Sequence, residues 1–438
     1  MAGDATPSVG ESGTLGFMLR AFRYRNYRLF FSGQIVSVTG SWITTTATSW
    51  LVYRLTGSAL LLGVVGFASQ FPSFLLTPVA GIFVDRWNRH RLLVGTQTAS
   101  MLISFVLAAL TLSKSISIPW LITVSVFQGI VNAFDMPGRQ AFVVSLIEDK
   151  RDLGNAIALN SSMFNAGRLV GPSVAGLIIA ATNEGWCYLF DGVSYLAVIA
   201  ALLAMRVNAA PKRTTPHESP LHQFIEGFRY AYDSRAIRSV ILLIALVCLA
   251  GAPYSVLMPV YAAEVLGGGA HTLGFLMTAA GGGALLGALW LASRRTTSDI
   301  GRNIPTAGVV FGAGLIAFAF SRVLWISVPV MVIAGIGLMV QIASCNTLLQ
   351  TIVEDSKRGR VMAFFLMAYF GTMPFGSLAA GAVSTRIGAP YTLALGGAIC
   401  LLASVWFATT LSALHSDMTT ALKRATAHAA PRTGNSGA

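Results

Sequence analysis

The sequence predicts an all-α integral membrane protein of twelve spanning helices, arranged as two parallel six-helix pseudo-repeats. Three observations carry that reading. Only 11% of the 438 residues are charged, against about 25% in a soluble domain. The mean hydropathy is +0.67, and the apolar residues fall in roughly a dozen runs of about 20, the length that crosses a bilayer as a helix. Those runs are continuous rather than alternating, which excludes a membrane β-barrel.

Taken in order, a short polar segment leads to Arg20, Arg23, Arg25 and Arg28, and residues 1–28 read as a cytoplasmic N-terminal segment without a cleavable signal. Spans are expected at about 29–51, 60–84, 92–112, 119–138, 155–181 and 186–205, so that 29–205 forms the N-terminal half. Pro72 and Pro78 predict a bend in the second span. Residues 206–236 form the only long polar segment, a cytoplasmic central loop with an amphipathic helix expected over Leu221–Tyr232. Spans at about 237–262, 272–293, 304–321, 325–352, 361–383 and 389–411 complete the C-terminal half, 237–411. Residues 412–438 read as a cytoplasmic tail without regular structure beyond about Thr419.

Charge tests this topology. Of the 30 lysines and arginines, 25 fall on the segments assigned inside and four (Arg54, Lys114, Arg322 and Arg386) outside, which places both termini in the cytoplasm. The net charge of +13 is therefore topogenic and implies no nucleic-acid partner. Cys187, Cys248, Cys345 and Cys400 share no spacing and read as small apolar residues. Neither a metal cluster, a cofactor motif nor a phosphate-binding glycine loop is visible, so no cofactor and no enzymatic activity are expected.

The chain repeats itself. Ile147-Glu148-Asp149-Lys150-Arg151, followed by Gly171-Pro172-Ser173-Val174-Ala175-Gly176, matches Val353-Glu354-Asp355-Ser356-Lys357-Arg358, followed by Gly376-Ser377-Leu378-Ala379-Ala380-Gly381. Each pair joins the fourth and fifth spans of its half. Duplication places a substrate site between the halves, near the bilayer midplane.

Polar residues inside spans are the candidates for function. Arg168, in the fifth span, costs about 2.5–3.5 kcal/mol at the centre of a helix unless it faces a cavity or a partner. With Ser161, Asn165 and Pro172 it makes one face. It is expected to hold an anionic group of the substrate or a coupling carboxylate, or else to bond backbone carbonyls or Asp135. Polar stripes run through the first span (Gln34, Ser37, Ser41, Thr45, Thr48), the fourth (Gln128, Asn132, Asp135) and the tenth (Gln341, Cys345). Such stripes line a path or join helices. Phe67, Phe71, Phe74, Tyr254, Tyr369, Phe370 and Met373 offer an adaptable apolar surface or plain packing. Asp135 is the first candidate for proton coupling and a candidate partner for Arg86, whereas Asp191 and Glu264 read as surface charges near the outer ends of their spans.

Gly81, Asp85, Arg86, Arg89 and Arg91, in the hairpin between the second and third spans, resemble the signature loop of the major facilitator superfamily. His90 stands where that pattern has a basic residue. The resemblance implies that Asp85 caps the start of the eleventh span, near Gly359 and Arg360, and latches the halves in the outward-open state. The corresponding turn of the second half has Leu291 in place of the acid, so the latch is single. The runs Pro137-Gly138-Arg139-Gln140-Ala141, Asn155–Ser161, Phe164–Arg168 and Gly171-Pro172, with Thr347–Gln350 and Arg358–Met362, are similar to the bacterial exporter branch that contains the enterobactin exporter and macrolide-efflux proteins. Gly171, Pro172 and Gly176 resemble, incompletely, the helix-bend motif of antiporters.

These resemblances imply a secondary exporter of amphipathic small molecules, siderophores or drugs, in the bacterial cytoplasmic (inner) membrane, working as a monomer and driven by proton antiport. A lipid or lysophospholipid transporter, and a membrane receptor or scaffold that does not transport, are the alternatives.

Overall fold

The computed structural model describes residues 20–206, 220–294 and 300–429, and within these the side chains of Ile82, Asp85, Lys150, 220–224, Asp355, Ser356 and 411–429 lie outside the description. Twelve long helices order the described chain. The first six are α1 (Arg25–Thr56), α2 (Ala59–Arg86), α3 (Arg89–Leu112), α4 (Ile118–Leu146), α5 (Lys150–Ala181) and α6 (Glu184–Leu203). A linker helix, Pro220–Asp233, precedes α7 (Arg235–Val265). Then follow α8 (Ala270–Ser293), α9 (Ile300–Phe320), α10 (Leu324–Ile352), α11 (Asp355–Ile387) and α12 (Ala389–Ala429).

Eleven of these are long and apolar enough to cross a membrane. The remaining one, α1, has 32 residues and is about 48 Å long. Its serines and threonines, not its length, hold its hydropathy down. Most of those hydroxyls return to the helix itself: Thr39 donates to the Ile35 carbonyl at 2.8 Å and Thr45 to that of Ser41 at 2.8 Å. Such bonds satisfy polar groups within lipid.

Short side-chain caps set the turns. Asn88 Oδ1 accepts the Arg91 N–H at 3.1 Å and starts α3 immediately after the basic hairpin. Asp149 caps α5 through the Arg151 N–H at 2.9 Å. The Arg151 side chain, then its backbone N–H, hold the Asp149 carboxyl below its ordinary range.

The duplication predicted from sequence is visible in the packing. In the first half α1 packs on α5 and α6, α3 on α4 and α6, and α2 on α4. In the second, α7 packs on α11 and α12, α9 on α10 and α12, and α8 on α10. The same five helix pairs recur with an offset of six. The halves meet through α5 against α8 and α2 against α11.

Two expectations are corrected. The tail does not lose its structure near Thr419, because α12 continues to Ala429; its Ala, Leu, Lys and Arg are strong helix formers. The seventh span is not one regular helix, since π turns at Val247–Gly251 and Tyr261–Val265 flank Pro253 and Pro259. The linker helix agrees with its expected span. The expectations for residues 1–19, 207–219 and 430–438 lie outside the described residues.

Candidate transport pathway

The interface between halves is closed at the end opposite the basic hairpin. Glycines allow that closure. A Cβ on Gly274 of α8 would lie 2.5 Å from the Pro172 carbonyl oxygen of α5, and one on Gly176 would lie 2.7 Å from that of Ala270. Across the pseudo-axis, a Cβ on Gly63 of α2 would lie 2.5 Å from the Ser377 carbonyl oxygen of α11. Tyr53, at the far end of α1, donates to Glu264 of α7 at 3.0 Å. The described cross-half contacts continue to mid-helix, with Ser173 on Thr278 at 2.6 Å and Phe67 and Phe71 around Phe375. Towards the basic end they stop. Gly81, Gly154 and Gly359 have nothing within 4 Å of where a side chain would begin, and Ser161, Phe164, Leu366, Met367 and Phe370 are exposed. The halves therefore part towards the basic end.

Arg168 lies where they begin to part. Its guanidinium is 5.9 Å from the Trp42 ring of α1. The α8 backbone fits beside it only because residue 281 is glycine, whose Cβ would come within 2.8 Å of the Arg168 carbonyl oxygen. Among the described residues no carboxylate pairs with Arg168. Asn165, one turn away, donates to the Ser161 carbonyl at 2.9 Å.

Asp135 is not its partner, nor that of Arg86. It is 4% exposed, accepts from Thr96 at 2.8 Å and Gln97 at 2.7 Å, and pairs with Arg139 one turn along α4. Arg139 reaches it without crossing to another helix, whereas Arg86 is exposed. Gln128 continues this polar seam, donating to Ser100 at 3.1 Å and to Asn132 at 3.0 Å.

The other candidates divide. Thr45 is exposed and Ser41 half-buried, its hydroxyl 3.3 Å from that of Tyr195. Phe370 is exposed and edge-on to Tyr369, with Met373 half-buried one turn further. Gln34 and Gln341 are fully buried and so line no open space in this conformation. Gln341 donates to Ser404 at 3.2 Å and joins α10 to α12 within one half. Tyr254 is buried and edge-on to Phe311. Pro172 and Gly176 belong to the α5–α8 seam, and Gly171 packs against Trp42 of α1.

In the basic hairpin, Arg89 reaches the Ala141 carbonyl at 3.5 Å and His90 Nε2 lies 2.8 Å from that of Leu202. The side chain of Asp85 is outside the description. Arg360, its expected neighbour, pairs with Glu226 of the linker helix at 2.5 Å.

Three features escaped the sequence. Asp191 is not a surface charge: it is 2% exposed and bonded to Thr44 and Ser104. Arg54 is not free in an outer loop but grips Glu184 with two hydrogen bonds at 2.7 and 2.9 Å. The turn Arg20–Arg23 docks on α5, with Arg23 2.6 Å from Asp152. Acids at helix starts opposite basic clusters were the signal available for the last two.

The comparisons agree with this architecture. The family described as transmembrane secretion effector matches residues 18–432. The chain is 28% identical to the staphyloferrin A transporter of Staphylococcus aureus, over 87% of this chain and 95% of that one. It is 26% identical to the multidrug efflux pump Tap of Mycolicibacterium fortuitum, over 80% and 87%, and 22% identical to macrolide efflux protein A of Streptococcus pyogenes, over 86% and 95%. A bacterial homologue of the iron transporter ferroportin, solved in an inward-facing state, shares the fold with a TM-score of 0.68 at 16% identity, over 88% of this chain and 98% of that one. Twelve helices in two packed halves, closed at one end and parted at the other, thus occur in a chain that belongs to the transmembrane secretion effector family of major facilitator exporters.

Proposed function

We propose that the chain is a secondary active exporter of amphipathic small molecules that carry an acidic group, siderophores or acidic drugs, working by alternating access with proton antiport. The carrying observation is Arg168, a charge at mid-helix with an aromatic neighbour and no carboxylate among the described residues. Such a charge is retained where it binds something. An acidic group of the substrate would meet the guanidinium, while Trp42, Phe370 and Met373 would take its apolar part.

In this reading the basic end faces the cytoplasm, as the charge asymmetry favours, and the described conformation accepts substrate from inside. The hairpin residues Gly81, Asp85, Arg86 and Arg89, with Arg360, form the inner gate, and closing it replaces the far-end contacts of α5 with α8 and α2 with α11. The names of the relatives, a siderophore transporter and drug efflux pumps, support this substrate range. The chain would act as a monomer in the cytoplasmic membrane.

The test compares a deletion strain with strains expressing wild type, Arg168→Ala and Arg168→Lys, measuring secreted siderophores and retention of a drug panel. A charge-assisted hydrogen bond contributes about 1.5–3 kcal/mol, so Arg168→Ala should lower export of the acidic substrate by about tenfold or more and Arg168→Lys should restore most of it. Equal export by all three at equal abundance would exclude the assignment, and efflux restricted to lysophospholipids would favour a lipid transporter.

A further inference from the structure

Asp191 lies inside the first half, away from the interface between halves. Thr44 of α1 donates to its Oδ2 at 3.0 Å and Ser104 of α3 at 2.8 Å. Its Oδ1 is buried and has no hydrogen-bond partner. The α1 backbone presses on that atom: a Cβ on Gly40 would come within 2.6 Å of it. No lysine, arginine or histidine pairs with Asp191 among the described residues.

The groups that bond it or press on it from α1 and α3 are neutral. From α1 these are Gly40, Ser41 and Thr44; from α3, Ser104, with Phe105 against Gly192. On α6 itself, Tyr188 bonds Thr48 and Tyr195 bonds Ser41. A buried carboxylate with no cation is unfavourable as an ion, and the unpartnered Oδ1 is where a proton would sit.

A polar rail leads to it. Thr96, Gln97, Ser100 and Ser104 are all buried along one face of α3. Thr96 and Gln97 bond Asp135, Ser100 takes the Gln128 amide, and Ser104 bonds Asp191. The rail therefore spans the distance from the salt-bridged acid near the basic end to the acid at mid-helix, with steps from Gln97 to Ser100 and from Ser100 to Ser104 that no described hydrogen bond bridges.

We propose that Asp191 is the proton-binding carboxyl of this exporter. It takes one proton on Oδ1 as an O–H, becoming neutral, and returns it to water on the other side as the halves rock; the rail is its route from the Asp135 side. This rests on the antiport reading and moves the exchanged proton from Asp135 to Asp191.

Infrared difference spectroscopy of the purified full-length protein, titrated in H2O and D2O without substrate, tests it. A carbonyl stretch of a protonated carboxyl that titrates and shifts in D2O is expected in wild type and in Asp135→Asn, and is expected to vanish in Asp191→Asn. Should Asp191→Asn fail to fold, Ser104→Ala serves instead, and loss of one donor should raise the band's frequency. A band that Asp191→Asn leaves unchanged, or Ser104→Ala in its stead, overturns the proposal. A parallel arm follows efflux of fluorescein from energised cells with and without a protonophore. Protonophore-sensitive efflux that Asp191→Asn abolishes supports the assignment, and sensitive efflux that Asp191→Asn leaves intact overturns it while antiport stands. Efflux that no protonophore affects overturns antiport itself and with it the transport role of Asp191, even if its band titrates.

Discussion

At the scale of single residues, the structure separates three charges that look alike in sequence. Arg168, Asp135 and Asp191 each interrupt an apolar run, yet their surroundings differ. Among the described residues, Arg168 has an aromatic neighbour and no acid; Asp135 has an arginine and two neutral donors; Asp191 has two hydroxyls and no cation. Arg168 was legible because a cation at mid-span has no cheap alternative to a cavity or partner. The misplacement of Asp191 was not avoidable from periodicity. Its donors come from two other helices, 147 and 87 residues away in the chain, and no local pattern records them. For Asp135 the structure makes a stability prediction. Asp135→Asn leaves Arg139, itself 15% exposed, without its counter-charge, and breaking one side of a buried pair costs about 3–5 kcal/mol. The purified variant should unfold at clearly lower temperature than wild type, and adding Arg139→Gln should recover part of the loss. Equal thermal midpoints for wild type and Asp135→Asn would show that the pair contributes nothing.

Among the elements, the helices that couple the halves meet at small residues. The Gly-x4-Gly spacing of α5 and α11 was visible as a repeat, and its physical use is close backbone approach: Gly176 against Ala270, Gly381 against Ala59, where a Cβ would lie 2.7 and 2.6 Å from carbonyl oxygens. The partners of those glycines were not visible, since pairing α5 with α8 requires the whole bundle. A leucine at Gly274 would drive its side chain into Pro172 and force the helices apart, a cost of about 1–3 kcal/mol for overpacking. Gly274→Leu should insert normally, lose transport and expose the far end of α8 to thiol reagents at an introduced cysteine. Unchanged labelling would mean that the seam tolerates separation. The element that sequence undervalued is α1, whose hydroxyls lower its hydropathy although their bonds return to its own carbonyls. The α12 extension to Ala429 was also misread, because a polar composition was taken as a loss of helix.

For the molecule as a whole, the twelve helices, the duplication and the placement of the basic hairpin at one end were readable from hydropathy, charge asymmetry and the repeated acid pair. The conformation was not, because the same contacts in sequence serve both open states. Tyr53 on Glu264 and the two glycine seams close the far end, and Arg360 is engaged by Glu226 of the linker helix. Glu264→Gln should loosen far-end closure and raise labelling of a cysteine placed at Ala263, and a labelling rate equal to wild type would assign Glu264 to the surface alone. The central claim is uphill export past Arg168, and inside-out membrane vesicles test it most directly. Energised vesicles carrying the wild-type chain should accumulate an acidic siderophore or acidic drug above its outside concentration, collapse that gradient on addition of a protonophore, and lose the accumulation with Arg168→Ala. Failure of wild-type vesicles to accumulate any member of the panel beyond vesicles lacking the chain would contradict the account.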